Sequence, residues 1–293
     1  MKSQTITVFV LALFTIAVLN TSCKKSQALS SHIESVQSQT AFMDATNSVI
    51  NLDSVASEDF DLLMDNDEAA ALQGSKCYTV TFSPSRNVYP RTKTIDFGTG
   101  CTNAAGVTKK GKIIVTQYNP KREAHGRFSE ITYDNYYVNN IHVEGSIQVN
   151  KVANGSKIVY KHIVHKTFTT DDGDIKDWNS NLDWTLVQGG DTKTGADDIY
   201  EITGHAEGTE TLNGIEANNW RADIDKNNTL VKQHPCKRIG QGGVIIKIHI
   251  KNGDDLNEYL DYGDGSCDNL GTLSINGGEP QVVTLPLRFW PLN

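Results

Sequence analysis

From Cys77 onward the chain alternates apolar and polar residues with a period of two. Ile141, Val143, Gly145, Ile147 and Val149 alternate with His142, Glu144, Ser146 and Gln148. Val244, Ile246, Ile248 and Ile250 alternate with Ile245, Lys247 and His249, and Leu182, Trp184 and Leu186 form a third such run. Val283, Leu285, Leu287 and Phe289 form a fourth, with Pro286 inside it, which predicts an edge or bulged strand. Strict alternation marks strands with one face buried and one wet, as in antiparallel sheets. Turn signals separate the runs at Asn119-Pro120, Asn154-Gly155, Asp172-Gly173, Gly189-Gly190, Asn252-Gly253 and Asn276-Gly277. No helix-length apolar period and no strand–helix–strand rhythm follows residue 75. The pattern predicts a mainly β fold over 76–293: a large, consecutive antiparallel sheet domain, either a sandwich or a curved sheet.

The first 75 residues read differently. An apolar run from Ile6 to Leu19 follows Lys2. It is shorter than the ~20 residues of a membrane-spanning helix and has the form of a secretory signal. Residues 26–75 contain no Pro, and no Gly before Gly74. Ser31-x-x-Glu34 is a capping-box pattern. Ile33, Val36, Thr40, Met43, Asn47 and Ile50 recur at helical steps, widened by Phe42, Ala45 and Val49. A second short helix is expected around Phe60, Leu63 and Met64. The β-domain is therefore expected to follow short N-terminal helices, whose apolar stripe packs onto it while the acids face water.

Charge separates the same regions. The chain carries −8, yet residues 26–75 hold nine acids and no Lys or Arg. With Lys2, Lys24 and Lys25 ahead of that segment, the part from Lys76 onward carries only −2. No basic footprint for nucleic acid exists.

The apolar run ends Leu19-Asn20-Thr21-Ser22-Cys23. Small residues directly before a cysteine resemble a lipobox, although Asn20 stands where Leu is usual. The resemblance implies a signal peptide over 1–22, removed before Cys23, and diacylglyceryl and acyl (palmitate-type) chains on Cys23. More than one chain suffices for stable anchoring. The partner so implied is a membrane, reached through the N-terminal lipid. Lys24 is not the Asp that favours inner-membrane retention, and Lys24-Lys25-Ser26-Gln27 lacks an acidic surface-export cluster. The expected location is the outer membrane, facing the periplasm.

Setting Cys23 aside leaves Cys77, Cys101, Cys236 and Cys267, an even set in an oxidising compartment, with three possible pairings. An internal repeat selects one. Ile95-Asp96-Phe97-Gly98-Thr99-Gly100-Cys101-Thr102-Asn103 matches Leu260-Asp261-Tyr262-Gly263-Asp264-Gly265-Ser266-Cys267-Asp268-Asn269, with Ser266 as the extra residue. Each copy follows another cysteine. The expected disulfides are Cys77–Cys101 and Cys236–Cys267. If the duplication is structural, the β-domain comprises two related halves divided near Gly189–Thr194.

The lipobox, the acidic stretch, the Cys77-Tyr78-Thr79-Val80-Thr81 opening, the two glycine–cysteine turns and the Phe289-Trp290-Pro291 ending together resemble uncharacterised Bacteroidota cell-envelope lipoproteins. The resemblance spans most of the mature chain and implies no activity.

Catalytic motifs are missing: there is no HExxH, G-x-S-x-G, Walker loop or GxGxxG. His162-x-x-His165 looks like a ligand pair, but it lies in an alternating run where residues three apart face opposite ways. Asp261, Asp264 and Asp268, with Asn269, are oxygen donors suited to calcium, as are Asp171, Asp172, Asp174 and Asp177. The first repeat has Thr99 and Thr102 where the second has Asp264 and Asp268, which favours aspartates bonded to their own turns. No metal, cofactor or catalytic residue is expected. The function expected is a non-enzymatic structural or ligand- or partner-binding scaffold. The alternative is an envelope glycan hydrolase, which a cleft lined by Trp178, Trp184 or Trp220 beside two acids would favour. Asp53-Ser54-Val55 resembles the acceptor pattern of Bacteroidota O-glycosylation, making Ser54 a candidate site.

Replacing Cys23 by Ser is expected to move the protein from the membrane fraction to the soluble one. A variant that stays in the membrane with unchanged mobility would overturn lipidation. Intact mass of the native protein tests Ser54 as well: Ser54→Ala should lose a hexose-sized mass.

Overall fold

The computed structural model describes residues 77–285, apart from 85–87, 103–105, 120–125, 193–196, 235 and 237–238. The chain divides into two compact units, Met1–Ser48 and Val49–Asn293, and all described residues belong to the second. The expected signal peptide, Cys23, Ser54, the expected helices and the Phe289-Trp290-Pro291 ending lie outside the described residues.

Among the described residues the fold is mainly β, with no helix and one antiparallel sheet of fifteen strands. Along the main path run β1 (Thr79–Ser83), β2 (Arg91–Asp96), β4 (Thr108–Gln117), β5 (Gly126–Val138), β6 (Ile141–Asn154), β7 (Lys157–Thr169) and β8 (Ile175–Gln188). They are followed by β9 (Ile199–Leu212), β10 (Ile215–Ile224), β12 (Gln241–Ile250), β13 (Leu256–Asp264), β14 (Leu270–Ile275) and β15 (Gln281–Thr284). Two short strands flank this path. β3 (Cys101–Thr102) pairs with β4, and β11 (Leu230–Gln233) bridges β9 and β12. One continuous hydrogen-bonded ladder joins all fifteen strands. β8 and β9 pair from Ile175↔Thr211 to Gln188↔Ile199, so the ladder continues across the Gly189–Thr194 connection.

Alternation builds one buried and one wet face. Lys157–Thr169 shows it plainly: Tyr160, His162, Val164, Lys166 and Phe168 are buried, while Lys161 and His165 are exposed. The buried face, here the inner face, holds aromatics that meet across strands. Tyr160 stands edge-on to Phe128 at 5.7 Å and to Tyr200 at 6.2 Å. Trp178 and Trp220 meet edge to face at 6.0 Å. Both are in register with Gly208, which lies between them. A Cβ at Gly208 would lie 2.0 Å from the Asp177 carbonyl and 2.8 Å from the Trp220 ring. The missing side chain is what lets the two indoles close over the strand between them.

Tight turns follow left-handed backbone. Asn276 and Gly277 both take positive φ, 48° and 74°, in the β14–β15 hairpin, as two-residue turns that match strand twist require. Asn213-Gly214 (51°, 76°) and Asn139-Asn140 (48°, 69°) do the same between β9 and β10 and between β5 and β6. Register shifts at Gly111 and Gly242 add bulges that bend the ladder.

Cys77 pairs with Cys101 and Cys236 with Cys267, with Cα–Cα distances of 5.3 and 5.0 Å. Each bond joins the residues ahead of one strand to the turn after the strand paired with it, β1–β2 in one copy and β12–β13 in the other. The two motifs also agree in detail. Ile95 and Leu260 are buried, as are Phe97 and Tyr262. Asp96 accepts a hydrogen bond from the Gly98 N–H at 2.8 Å, and Asp261 accepts one from Gly263 at 2.8 Å.

Gly208→Ala is expected to lower stability by about 1–3 kcal/mol, because strand β8 or Trp220 must give way. Gly208 therefore differs from Gly155, where a Cβ meets nothing within 4 Å and only the positive φ opposes substitution. Urea titration of the two alanine variants separates the effects. Equal midpoints at wild-type stability would contradict the packing role of Gly208.

Candidate functional site

The outer face carries a groove of ≈ 540 Å³ across β8, β9, β10, β12 and β13. Its polar walls come from Asp177, Asn179, Glu207, Arg221, His249 and Asp255. Register brings them together from distant parts of the chain: Asn179 lies opposite Glu207, Glu207 opposite Arg221, and Lys247 opposite both Arg221 and Asn257. Trp220 also lines the groove. Strand alternation nonetheless puts its ring with Gly208 and Trp178 on the inner face, where it is 7% exposed.

The groove carboxylates have donors close by. Asp177 accepts from the Thr167 hydroxyl at 2.8 Å and the Thr209 hydroxyl at 3.4 Å. Glu207 pairs with Arg221 at 2.8 Å, and Arg221 also grips Asp223 at 2.9 Å. The hydrogen bond to Asp223, ahead of that to Glu207, raises the pKa of the guanidinium further above its ordinary value. His249 Nδ1 lies 2.7 Å from Asp255 on the exposed rim. Apart from Arg221–Asp223, which lies within β10, these pairings cross between neighbouring strands on an exposed sheet face and tie them together.

The other sequence candidates are dispersed. His162 is buried on the inner face and His165 is exposed on the outer one, so the two do not share a ligand. His162 stacks on Trp184 at 5.3 Å, and burial pushes its pKa down to about 3. His165 Nδ1 lies 2.6 Å from Asn179 Oδ1. Trp178 and Trp184 are buried at 4% and 2% exposure and offer no stacking platform to solvent.

The candidate calcium ligands turn to their own backbones. Asp261 accepts from Gly263 N–H, Asp264 from Ser266 N–H at 3.1 Å and its hydroxyl at 2.7 Å, and Asp268 from Leu270 N–H at 3.0 Å. The Ser266 hydroxyl, then its N–H, hold the Asp264 carboxyl below the usual range. In the second cluster Asp174 accepts from Asn213 N–H at 2.9 Å, while Asp177 bonds the threonines. Among the described residues no three His, Cys, Asp or Glu side chains are grouped to hold a metal ion.

Two features escape sequence reading. One is the groove, whose parts are up to 80 residues apart. The other is a set of cations on the inner face: Arg91, Lys93, Lys151, Lys166, Lys176 and Lys232 are all 9% exposed or less. Lysine at alternating positions within apolar runs was the available signal, as in Lys151 beside Val149 and Lys166 beside Phe168.

No known protein family model, curated protein or solved structure matches this chain.

A histidine held neutral by burial links stability to pH. Its folded pKa of about 3 lies below the unfolded value near 6.5, so its contribution is complete above about pH 6.5 and is lost as pH falls toward 3. His162→Phe should flatten the fall in unfolding free energy between pH 6 and 4 by up to about 1.4 kcal/mol per pH unit. Parallel pH profiles for the two proteins in denaturant titrations would show that His162 takes no part.

Proposed function

We propose that the protein is a lipid-anchored envelope lipoprotein whose β-domain is a non-enzymatic scaffold for a ligand or partner. The lipobox-like Thr21-Ser22-Cys23 supports the anchor, and the residues after it favour the periplasmic side of the outer membrane. Two disulfides suit an oxidising compartment. In the sequence the acidic segment falls between Cys23 and the first strand. The observation that carries the scaffold reading is how the polar side chains of the outer groove are used. Asp177, Glu207 and Asp255 each face a hydroxyl, guanidinium or imidazole on the same sheet face, so they brace the scaffold.

The groove itself favours the second reading, a glycan-active envelope hydrolase, since it sets Asp177 and Glu207 in one ≈ 540 Å³ depression. A retaining or inverting pair also needs one carboxyl kept protonated as acid. Glu207 is instead held by the Arg221 guanidinium at 2.8 Å, within the bracing of the sheet face.

A screen of the purified protein against envelope glycans, esters and peptides should give no turnover. Turnover abolished by Asp177→Asn or Glu207→Gln, with folding intact, would establish the hydrolase instead. Protease shaving of intact cells should spare the β-domain, and its rapid loss would place it on the cell surface.

A further inference from the structure

We propose, resting on the scaffold reading above, that the outer groove binds a short acidic oligosaccharide. One carboxylate of the ligand sits at Lys247, and sugar hydroxyls lie along Asn219 and Asn257.

Register lays the groove out as rows of polar side chains running across the strands. Asn179, Glu207, Arg221, Lys247 and Asn257 stand in register on β8, β9, β10, β12 and β13. Thr209, Asn219 and His249 form a second row on the same face. Trp220 and Ile248, whose row lies between these two, are buried on the inner face. Neither outer row holds an aromatic or aliphatic side chain, so an acyl chain or a flat apolar ligand finds little to bury against.

The acids of the groove are engaged. Asp177 accepts from two threonines, Glu207 is held by Arg221, and Asp255 faces His249. Lys247 is different. Its side chain and those of Asn219 and Asn257 are exposed, and they make no hydrogen bond or ion pair among the described residues. Lys247 also stands directly opposite Arg221, a like-charge pairing that is unfavourable across strands. The acids that compensate Arg221 are Glu207 on β9 and Asp223 on β10 itself, both away from β12. On its own strand the same-face neighbours of Lys247 are Ile245 and His249, and across β13 it meets Asn257. An anionic group at Lys247 relieves the repulsion and accepts from the neighbouring amides. Hydrogen bonds to a charged group are roughly twice as strong as neutral ones.

Size and spacing select the ligand class. A volume of ≈ 540 Å³ is that of a small-ligand cleft. The rows run about 19 Å across the strands, at about 4.8 Å per ladder step, a repeat close to that of a chain of pyranose rings. Amides and charged groups at that interval present donors and acceptors in turn to ring hydroxyls. A single uncompensated cation matches one carboxylate rather than a dianionic phosphate.

Isothermal titration of the full mature chain tests the site. The probe is a xylan-derived aldotetraouronic acid, one glucuronate on three xyloses, with neutral xylotetraose and free glucuronate as comparisons. The acidic tetrasaccharide is expected to bind about tenfold more tightly than either. Lys247→Gln should abolish its advantage over xylotetraose with the urea midpoint unchanged. Asn219→Ala and Asn257→Ala should each weaken both tetrasaccharides severalfold. Lys161→Gln, on the outer face but outside the groove, should change nothing. Equal affinity for the acidic and neutral sugars, or an unaltered preference in Lys247→Gln, would overturn the proposal. So would free glucuronate binding as tightly as the tetrasaccharide, which would mark simple attraction of an anion. Absence of binding at millimolar sugar, with no turnover of any glycan, would overturn the site alone and leave the non-enzymatic scaffold standing. Binding followed by cleavage that Glu207→Gln abolishes would do the reverse: the site would stand and the non-enzymatic reading would fall.

Discussion

Everything in this molecule depends on one unbroken antiparallel ladder. A ladder fixes side-chain direction by parity: once a residue points inward, its partners across each strand and its neighbours two positions along point inward too. The consequence is collective. Tyr160 faces inward together with Lys151 and Trp184, its partners on either side, and a slip of one residue would expose all three at once. The glycines with positive φ inside strands, such as Gly111 and Gly242, sit where the register changes, so the ladder bends without exchanging its faces.

The inner face is unusual in mixing packed aromatics with cations. Trp184 and Tyr160 are the largest fully buried side chains among the described residues, yet Lys151 and Lys232 are buried as deeply. The long alkyl stems of lysine contribute apolar contact, and the ammonium groups demand acceptors or rings, as Lys166 over Tyr133 illustrates. Polar chemistry on the outer face is of another kind. Arg221 with Glu207, and Lys161 with Asp183, are exposed cross-strand pairs that add little stability each but discourage alternative registers.

Much of the fold was legible because period-two patterning and Asn-Gly turns are local signals. Val244 to Ile250 and Ile141 to Val149 could be assigned to strands directly, and each is one: β12 and β6. The disulfide partners were legible for a different reason: a motif repeated 165 residues apart, from Asp96 to Asp261, carries its cysteine with it. β9 was obscure, since Gly204 and Gly208 interrupt its inner positions and Glu210 occupies another. The inward direction of Lys151, Lys166 and Lys176 was also obscure, because a lysine in an alternating run is ordinarily read as solvent-facing. The groove could not be read at all, since it exists only after the register of five strands is set. The His162/His165 spacing was correctly separated by parity, a rule that needs only the strand assignment.

The placement of the first disulfide bears on mechanics. Among the described residues β1 ends the ladder, and a pull applied to the chain ahead of Cys77 would act at its Thr79 end, where the ladder to β2 could be peeled one bond at a time. Cys77 is joined to Cys101, at the start of β3, which pairs with β4. Tension arriving along the preceding chain therefore divides before it reaches β1. Part of it passes through the sulfur bridge to β3 and β4, further inside the sheet. Unzipping of the edge is bypassed, and the load is shared by strands whose separation requires many bonds to break together.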